Sequence, residues 1–171
     1  MTPLVHMLCG LTGSGKTVYA KHLEAEGCVR LSVDELVQAR HGRYDIDYPA
    51  HEYPRLYDDA VAELDRRLVE LLAAGRSLVL DYGLWERSNR DRYKRLVEGH
   101  GGRWRLVYFK AEREVLRRRL VERNRRSDAN ALTVTDTMLA DFLARFEAPG
   151  GEGEVVIDQG DAAPTRAEQP R

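Results

Sequence analysis

The chain has 171 residues, 43% of them hydrophobic, which suffices for one domain with a buried core and no disulfide support. Its formal net charge is −1, so no overall field draws it to nucleic acid or to a membrane surface. Cys9 and Cys28 fall at the ends of predicted buried strands and read as small core hydrophobes, and no Cys/His cluster has metal-ligand spacing.

The chain opens on an apolar strand, Leu4-Val5-His6-Met7-Leu8-Cys9, followed by Gly10-Leu11-Thr12-Gly13-Ser14-Gly15-Lys16-Thr17 and then an amphipathic segment. Strand, glycine loop and helix are the context of a phosphate-binding P-loop. Gly10, Gly13 and Gly15 let the backbone approach a ligand closely, and the amides of Thr12, Ser14 and their neighbours converge on phosphate with the positive end of the helix. Lys16 is placed along the β- and γ-phosphates, and the Thr17 hydroxyl is placed to ligate Mg²⁺. ATP and Mg²⁺ are therefore the expected cofactors.

The first helix is predicted over 17–26, with Val18, Ala20, Leu23 and Ala25 as its apolar side and Gly27 closing it. A second strand covers 28–31. Ser32 then caps a helix over 33–40, with Glu35 at the capping-box position. Residues 41–49 read as a functional loop carrying Tyr44 and Tyr48. A long helix over 52–74 repeats Leu56, Ala60, Leu64, Leu68, Leu71 and Leu72 at helical spacing. A third strand, 77–81, ends in Asp81; helix 86–98, strand 104–109 and helix 112–125 follow. The pattern breaks at 127–130, Thr133 or Thr135 caps a last helix reaching 147, and 154–158 is the fifth strand. From 159 the Pro, Ala, Glu and Arg composition predicts a disordered tail, so the domain is expected over 1–158 and the tail over 159–171.

Alternating strands and helices predict an α/β, three-layer P-loop nucleoside-triphosphate hydrolase fold with a five-stranded parallel sheet. Right-handed crossovers then bring Gly10, Ser32, Asp34 and Asp81 to one rim of that sheet. No run reaches membrane-spanning length and no leader precedes the first strand, so a soluble, cytoplasmic protein without a membrane partner is expected. The sequence leaves monomer and homodimer open, because an apolar helix stripe can face the core or a second copy.

A P-loop is shared by motors, switch GTPases and kinases, and three further features bear on the choice. Asp34, just after the second strand, is placed to orient an acceptor hydroxyl and take its proton; in the bland alternative it only favours the helix dipole. Asp81 ends an apolar strand and resembles a Walker B acid that holds Mg²⁺, although the neighbouring Tyr82, Trp85 and Arg87 also allow a substrate role. Lysine is confined to Lys16, Lys21, Lys94 and Lys110, so arginine supplies the rest of the 27 basic residues, many of them in one late helix. There Arg119 and Arg123 share a face, Arg126 could join them, and planar guanidinium groups match the charge of a transferring phosphoryl group. As an arginine-rich lid, this segment would also exclude water; most of its other arginines read as a solvated face. Tyr44, Tyr48, Tyr82 and Trp85 either line an acceptor pocket or pack the loops down.

The P-loop, Leu31-Ser32-Val33-Asp34-Glu35, the Asp81-Tyr82-Gly83-Leu84-Trp85 turn with Arg87 and Arg90, and Phe146-Glu147-Ala148-Pro149 together resemble small P-loop kinases. The group is the AAA-type ATP-binding proteins related to polynucleotide 5′-kinase, zeta toxin and chloramphenicol phosphotransferase. The resemblance reaches about residue 158 and implies a nucleoside-kinase-like core, Mg-ATP as donor, phosphorylation of a hydroxyl, and Asp34 as the acid that activates it. Polynucleotide kinases carry an arginine three residues after that aspartate; here the position is Val37, with Arg40 the nearest substitute. The expected reaction is thus transfer of the γ-phosphate to a small hydroxyl acceptor, such as an antibiotic or a nucleoside-like compound. A polynucleotide or RNA 5′-end kinase, and a non-catalytic switch or assembly ATPase, are the alternatives.

Overall fold

The computed structural model describes residues 1–125 and 133–160. Strand β1 (Leu4–Cys9) lies at the centre of the sheet because both of its faces are apolar. Val5, Met7 and Cys9 are buried towards one side, and the alternating Leu8 packs on the other. It pairs in parallel with β3 (Leu78–Leu80) and β4 (Arg103–Lys110), while β2 (Val29–Leu31) and β5 (Glu154–Asp158) form the edges. The strand order is β2-β3-β1-β4-β5, all parallel.

Helices α2 (Val33–His41), α3 (Tyr53–Ala73) and α4 (Arg87–Gly99) cover one face. The α3 stripe Leu56, Ala60, Leu64, Leu68 and Leu72 faces inwards against the sheet cluster of Val5, Met7, Leu78, Leu80 and Leu106, and Leu71 lies at its margin. On the other face α1 (Lys16–Ala25) packs Ala20 and Leu23 on Leu8, Val79, Val107 and Phe109. Val18, expected on that apolar side, is instead 59% exposed, since a residue two positions from Ala20 points to the opposite side of a helix. Helices α5 (Arg113–Arg123) and α6 (Asp136–Arg145) join the P-loop residue Leu11 in a separate cluster through Leu116, Leu120 and Leu139.

Local signals set the boundaries. The Ser32 hydroxyl accepts from the Glu35 amide at 3.4 Å at the start of α2, and Thr135, rather than Thr133, caps α6 by accepting from the Met138 amide at 3.2 Å. A 3₁₀ turn at Ala50–Glu52 leads into α3. Both cysteines are free, Cys9 fully inside the core. The chain stays packed past the predicted end of the domain: Gln159 is 7% exposed and its amide donates to the Lys110 carbonyl at 2.7 Å. The rest of the expected tail, 161–171, the break at 127–130 and Arg126 lie outside the described residues. Among the described residues no helix is long and apolar enough to cross a membrane.

An ion pair fastens the rim. Arg90, fully buried on α4, donates to both carboxylate oxygens of Glu152 at 2.9 and 2.7 Å. Its remaining nitrogen donates to the carbonyls of Leu84 and Trp85 at 2.9 and 3.0 Å, and Lys94 donates to the Glu152 carbonyl at 3.0 Å. The turn after β3, where Leu84 sits at φ 46°, is thereby tied to the segment entering β5.

Candidate active site

The P-loop links β1 to α1, and its glycines are required by geometry. A Cβ on Gly10 would lie 2.8 Å from the Ser14 hydroxyl and 3.0 Å from the Phe109 carbonyl, and Gly15, the cap of α1, sits at φ 97°. Lys16 curls back over the loop, donating to the Leu11 carbonyl at 2.8 Å and to the Ser14 hydroxyl at 3.4 Å. Burial lowers its ammonium to about 8, against the opposing pull of Asp81 and Asp34; the charge of Arg123 pushes the same way as burial.

Asp81 follows β3 directly, which carries its carboxylate over the rim beside the P-loop. Thr17 donates to its Oδ1 at 3.3 Å and Arg30 to its Oδ2 at 2.8 Å. Burial raises the Asp81 pKa in spite of Lys16 and Arg30. The Thr17 hydroxyl and Asp81 Oδ1 are hard oxygen donors side by side, a set that suits Mg²⁺. Among the described residues no three His, Cys, Asp or Glu side chains gather into a cluster able to hold a metal, so an ion here would draw its other ligands from nucleotide phosphates and water.

Arg30 carries no motif and was not singled out by the sequence. Its side chain is 6% exposed and joins carboxylates from three elements: Asp81 after β3, Glu35 on α2, and Glu24 on α1 at 3.3 Å. A cation inside the apolar stretch Cys28-Val29-Arg30-Leu31 is its only trace in the sequence. Through it the Thr17–Asp81 pair is connected to the first turn of α2, the turn that presents Asp34.

Asp34 is exposed on that turn, and the Tyr53 hydroxyl donates to its Oδ1 at 2.6 Å. Tyr44, expected in the pocket with Tyr48, stands edge-on to Tyr48 with ring centres 6.3 Å apart and to Tyr53 at 5.4 Å; Tyr57 follows Tyr53 at 5.9 Å. Tyr53 and Tyr57 were missed, although Tyr44, Tyr48, Tyr53 and Tyr57 make up half of the chain's 8 tyrosines within one short stretch.

Tyr82 and Trp85 do not join this wall. Tyr82 is 5% exposed and its ring packs edge-on against Tyr93 beneath the rim, because the residue after Asp81 turns into the core. Trp85 lies against Phe142 of α6, ring centres 5.1 Å apart, with the Arg145 guanidinium 5.6 Å above it. Arg87 is a surface residue paired with Asp91 at 3.7 Å, and its amide donates to Glu147 at 2.7 Å.

Helix α5 stands beside the P-loop, where a Cβ on Gly13 would meet Leu120 at 3.3 Å. Arg119 and Arg123 are half-buried, whereas Arg113, Arg117, Arg118 and Arg125 are exposed. Arg119 donates to the Gly13 carbonyl and to the Gln159 side chain, both at 3.3 Å. A cavity of about 60 Å³ lies behind the loop, lined by Leu11, Ser14, Tyr108, Phe109, Leu116 and Phe146 among others.

This loop, with an acid after the neighbouring strand and an arginine helix beside it, matches a known family, the AAA domain, over residues 5–149. The chain belongs to that family. No curated protein matches it. Among solved structures, a candidate kinase from Chloroflexus aurantiacus j-10-fl superposes with a TM-score of 0.73 at 18% identity, over 92% of this chain and 85% of the other. A gluconokinase from Sinorhizobium meliloti 1021 gives 0.60 at 22% identity, over 94% and 84%. A Pnkp1/Rnl/Hen1 complex gives 0.57 at 16% identity, over 69% of this chain and 39% of that one. At such identities the likeness is one of fold: a P-loop kinase fold.

Proposed function

We propose that the chain is an ATP-dependent phosphotransferase that moves a γ-phosphoryl group to the hydroxyl of a small molecule. The observation that carries this reading is the position of Asp34, a carboxylate exposed on the first turn of α2, a turn that Arg30 ties through Glu35 to Asp81 and so to Thr17 of the P-loop. Loop amides and Lys16 would hold the donor's phosphates, and Thr17 and Asp81 would hold Mg²⁺. The ion would draw charge from the transferring group. Arg119 and Arg123 would face the same phosphates from α5.

Asp34 accepts the proton of the acceptor hydroxyl as its oxygen bonds to the γ-phosphorus. The bond from that phosphorus to the β,γ-bridging oxygen breaks, and ADP leaves with the electron pair. Tyr53, donating to Oδ1, leaves Oδ2 of Asp34 for the acceptor. A small acceptor is favoured over a nucleic-acid end because Val37 supplies no cation on α2, and Arg40 is bound to Glu63 at 2.6 Å.

Asp34→Asn should leave binding of a non-hydrolysable ATP analogue intact and lower acceptor phosphorylation by about 10²–10⁴-fold. Unchanged turnover would remove Asp34 from the reaction. Lys16→Ala should weaken analogue binding and turnover together, and an unaffected Lys16→Ala protein would refute the nucleotide site.

A further inference from the structure

The surroundings of Asp34 carry information about the charge of the acceptor, given the phosphotransferase reading above. Tyr44, Tyr48, Tyr53 and Tyr57 form a continuous row of half-buried rings. Burial raises the hydroxyl pKa values of Tyr48, Tyr53 and Tyr57, and the Asp34 charge adds to the shift at all three. The row meets the carboxylate at Tyr53, whose hydroxyl donates to Asp34 Oδ1 at 2.6 Å.

The arginines of this stretch of chain are already engaged, and His41 stands edge-on to Tyr48 with ring centres 6.5 Å apart. Between residues 28 and 60 the chain has Arg30, Arg40, Arg43 and Arg55 and no lysine. Arg30 is clamped by Glu24, Glu35 and Asp81; Arg40 binds Glu63, Arg43 binds Asp47 at 3.1 Å, and Arg55 binds Glu52 at 3.4 Å and Asp59 at 3.3 Å. Against these four arginines the same stretch carries Asp34, Glu35, Asp45, Asp47, Glu52, Asp58 and Asp59. A phosphorylated or carboxylated acceptor would meet an excess of acids over arginines from this stretch, whereas a cation would meet favourable charge and aromatic rings together.

We propose that the acceptor is a hydroxylated amine, an amino alcohol or amino sugar, bound as its ammonium form. The ammonium sits against the Tyr44 and Tyr48 rings while the hydroxyl meets Asp34. Donor and acceptor ends of the site then carry opposite charge: Lys16, Arg119 and Arg123 face phosphate, and the tyrosine row with its carboxylates faces the amine. The amine keeps its proton and takes no part in bond making. The hydroxyl oxygen gains the phosphorus, its proton passes to Asp34, and ADP departs with the electrons of the broken bond.

The test is a set of sugars that differ in charge: glucosamine, glucose, N-acetylglucosamine and gluconate, with ethanolamine as a short amine. Each is titrated calorimetrically into the ADP-loaded full chain and assayed for phosphorylation with Mg-ATP. At least one amine should bind saturably, and glucosamine should exceed N-acetylglucosamine and gluconate by about tenfold in affinity and in kcat/KM. Tyr44→Leu and Tyr48→Leu should each cut that preference to about threefold or less without changing ATP-analogue affinity, and Tyr44→Phe, which keeps the ring, should retain it. Preference for the neutral or anionic sugars, or no saturable binding by either amine while the analogue still binds, overturns the amine proposal and leaves the kinase reading standing. Analogue binding that does not depend on Lys16 overturns the kinase reading itself.

Discussion

Lys16 shows how one residue can be poised by its own surroundings. Folded onto the Leu11 carbonyl and partly out of water, it holds its proton only up to about pH 8. Phosphate at the loop would stabilise the ammonium form, so nucleotide binding above pH 8 must take up a proton from solution. Affinity for an ATP analogue should therefore be level below pH 8 and fall by up to about tenfold per pH unit above it. Calorimetry in buffers of different ionisation enthalpy would reveal the uptake, and a pH-independent affinity would contradict it. Lys16, Thr17, Asp34 and Asp81 were legible in the sequence because each follows a strand end or occupies a fixed motif position. Tyr53 and Arg30 were not, because their partners, Asp34 and Asp81, meet them only through tertiary contact.

Among the elements, the turn after β3 depends most on a single interaction. Arg90 and Glu152 are about 1% and 2% exposed, so each charge leans on the other, with the Lys94 ammonium 3.6 Å from Glu152 as a weaker second partner. Arg90→Met should cost about 3 kcal/mol in chemical denaturation, since it leaves the Glu152 carboxylate to Lys94 at 3.6 Å and frees the Leu84 and Trp85 carbonyls. Arg90→Met combined with Glu152→Leu should recover much of that loss, and a double variant as unstable as the single one would show that the pair is not the source. Helix periodicity gave no warning of this pair, because a buried arginine on a polar helix looks like any exposed one. The same limit applied to the aromatic residues of this turn. Tyr82 and Trp85 stood beside Asp81 in the sequence, yet one points into the core and the other packs on α6. In α5 the spacing of Arg119 and Arg123 did single out the pair that is half-buried beside the P-loop.

At the scale of the whole molecule, the central strand carries an acid-sensitive group. His6 lies on β1, 7% exposed, and its Nδ1 has no hydrogen-bond partner among the described residues. Burial, with help from Arg105, lowers its pKa to about 4. Its ordinary value is 6.5, so below pH 6.5 the unfolded chain takes a proton that the folded one refuses. Stability should fall as pH drops from 6.5 to 4, by about 2–3 kcal/mol from this residue. His6→Leu should flatten that part of a plot of Tm against pH, and an unchanged slope would assign the acid sensitivity elsewhere.

The sequence by itself determined the α/β alternation, the five parallel strands, the P-loop at the end of β1 and the rim on which Asp34 and Asp81 stand. Those features follow from local rules: apolar period, capping residues, glycine positions and the hand of the crossover. The tertiary structure decided which side chains share a space. It joined Asp34 through Tyr53 to a row of four tyrosines, closed Arg30 on three carboxylates, buried Arg90 against Glu152 and turned Tyr82 inwards. Such meetings join residues far apart along the chain, and their energies depend on burial and distance, which no local pattern encodes.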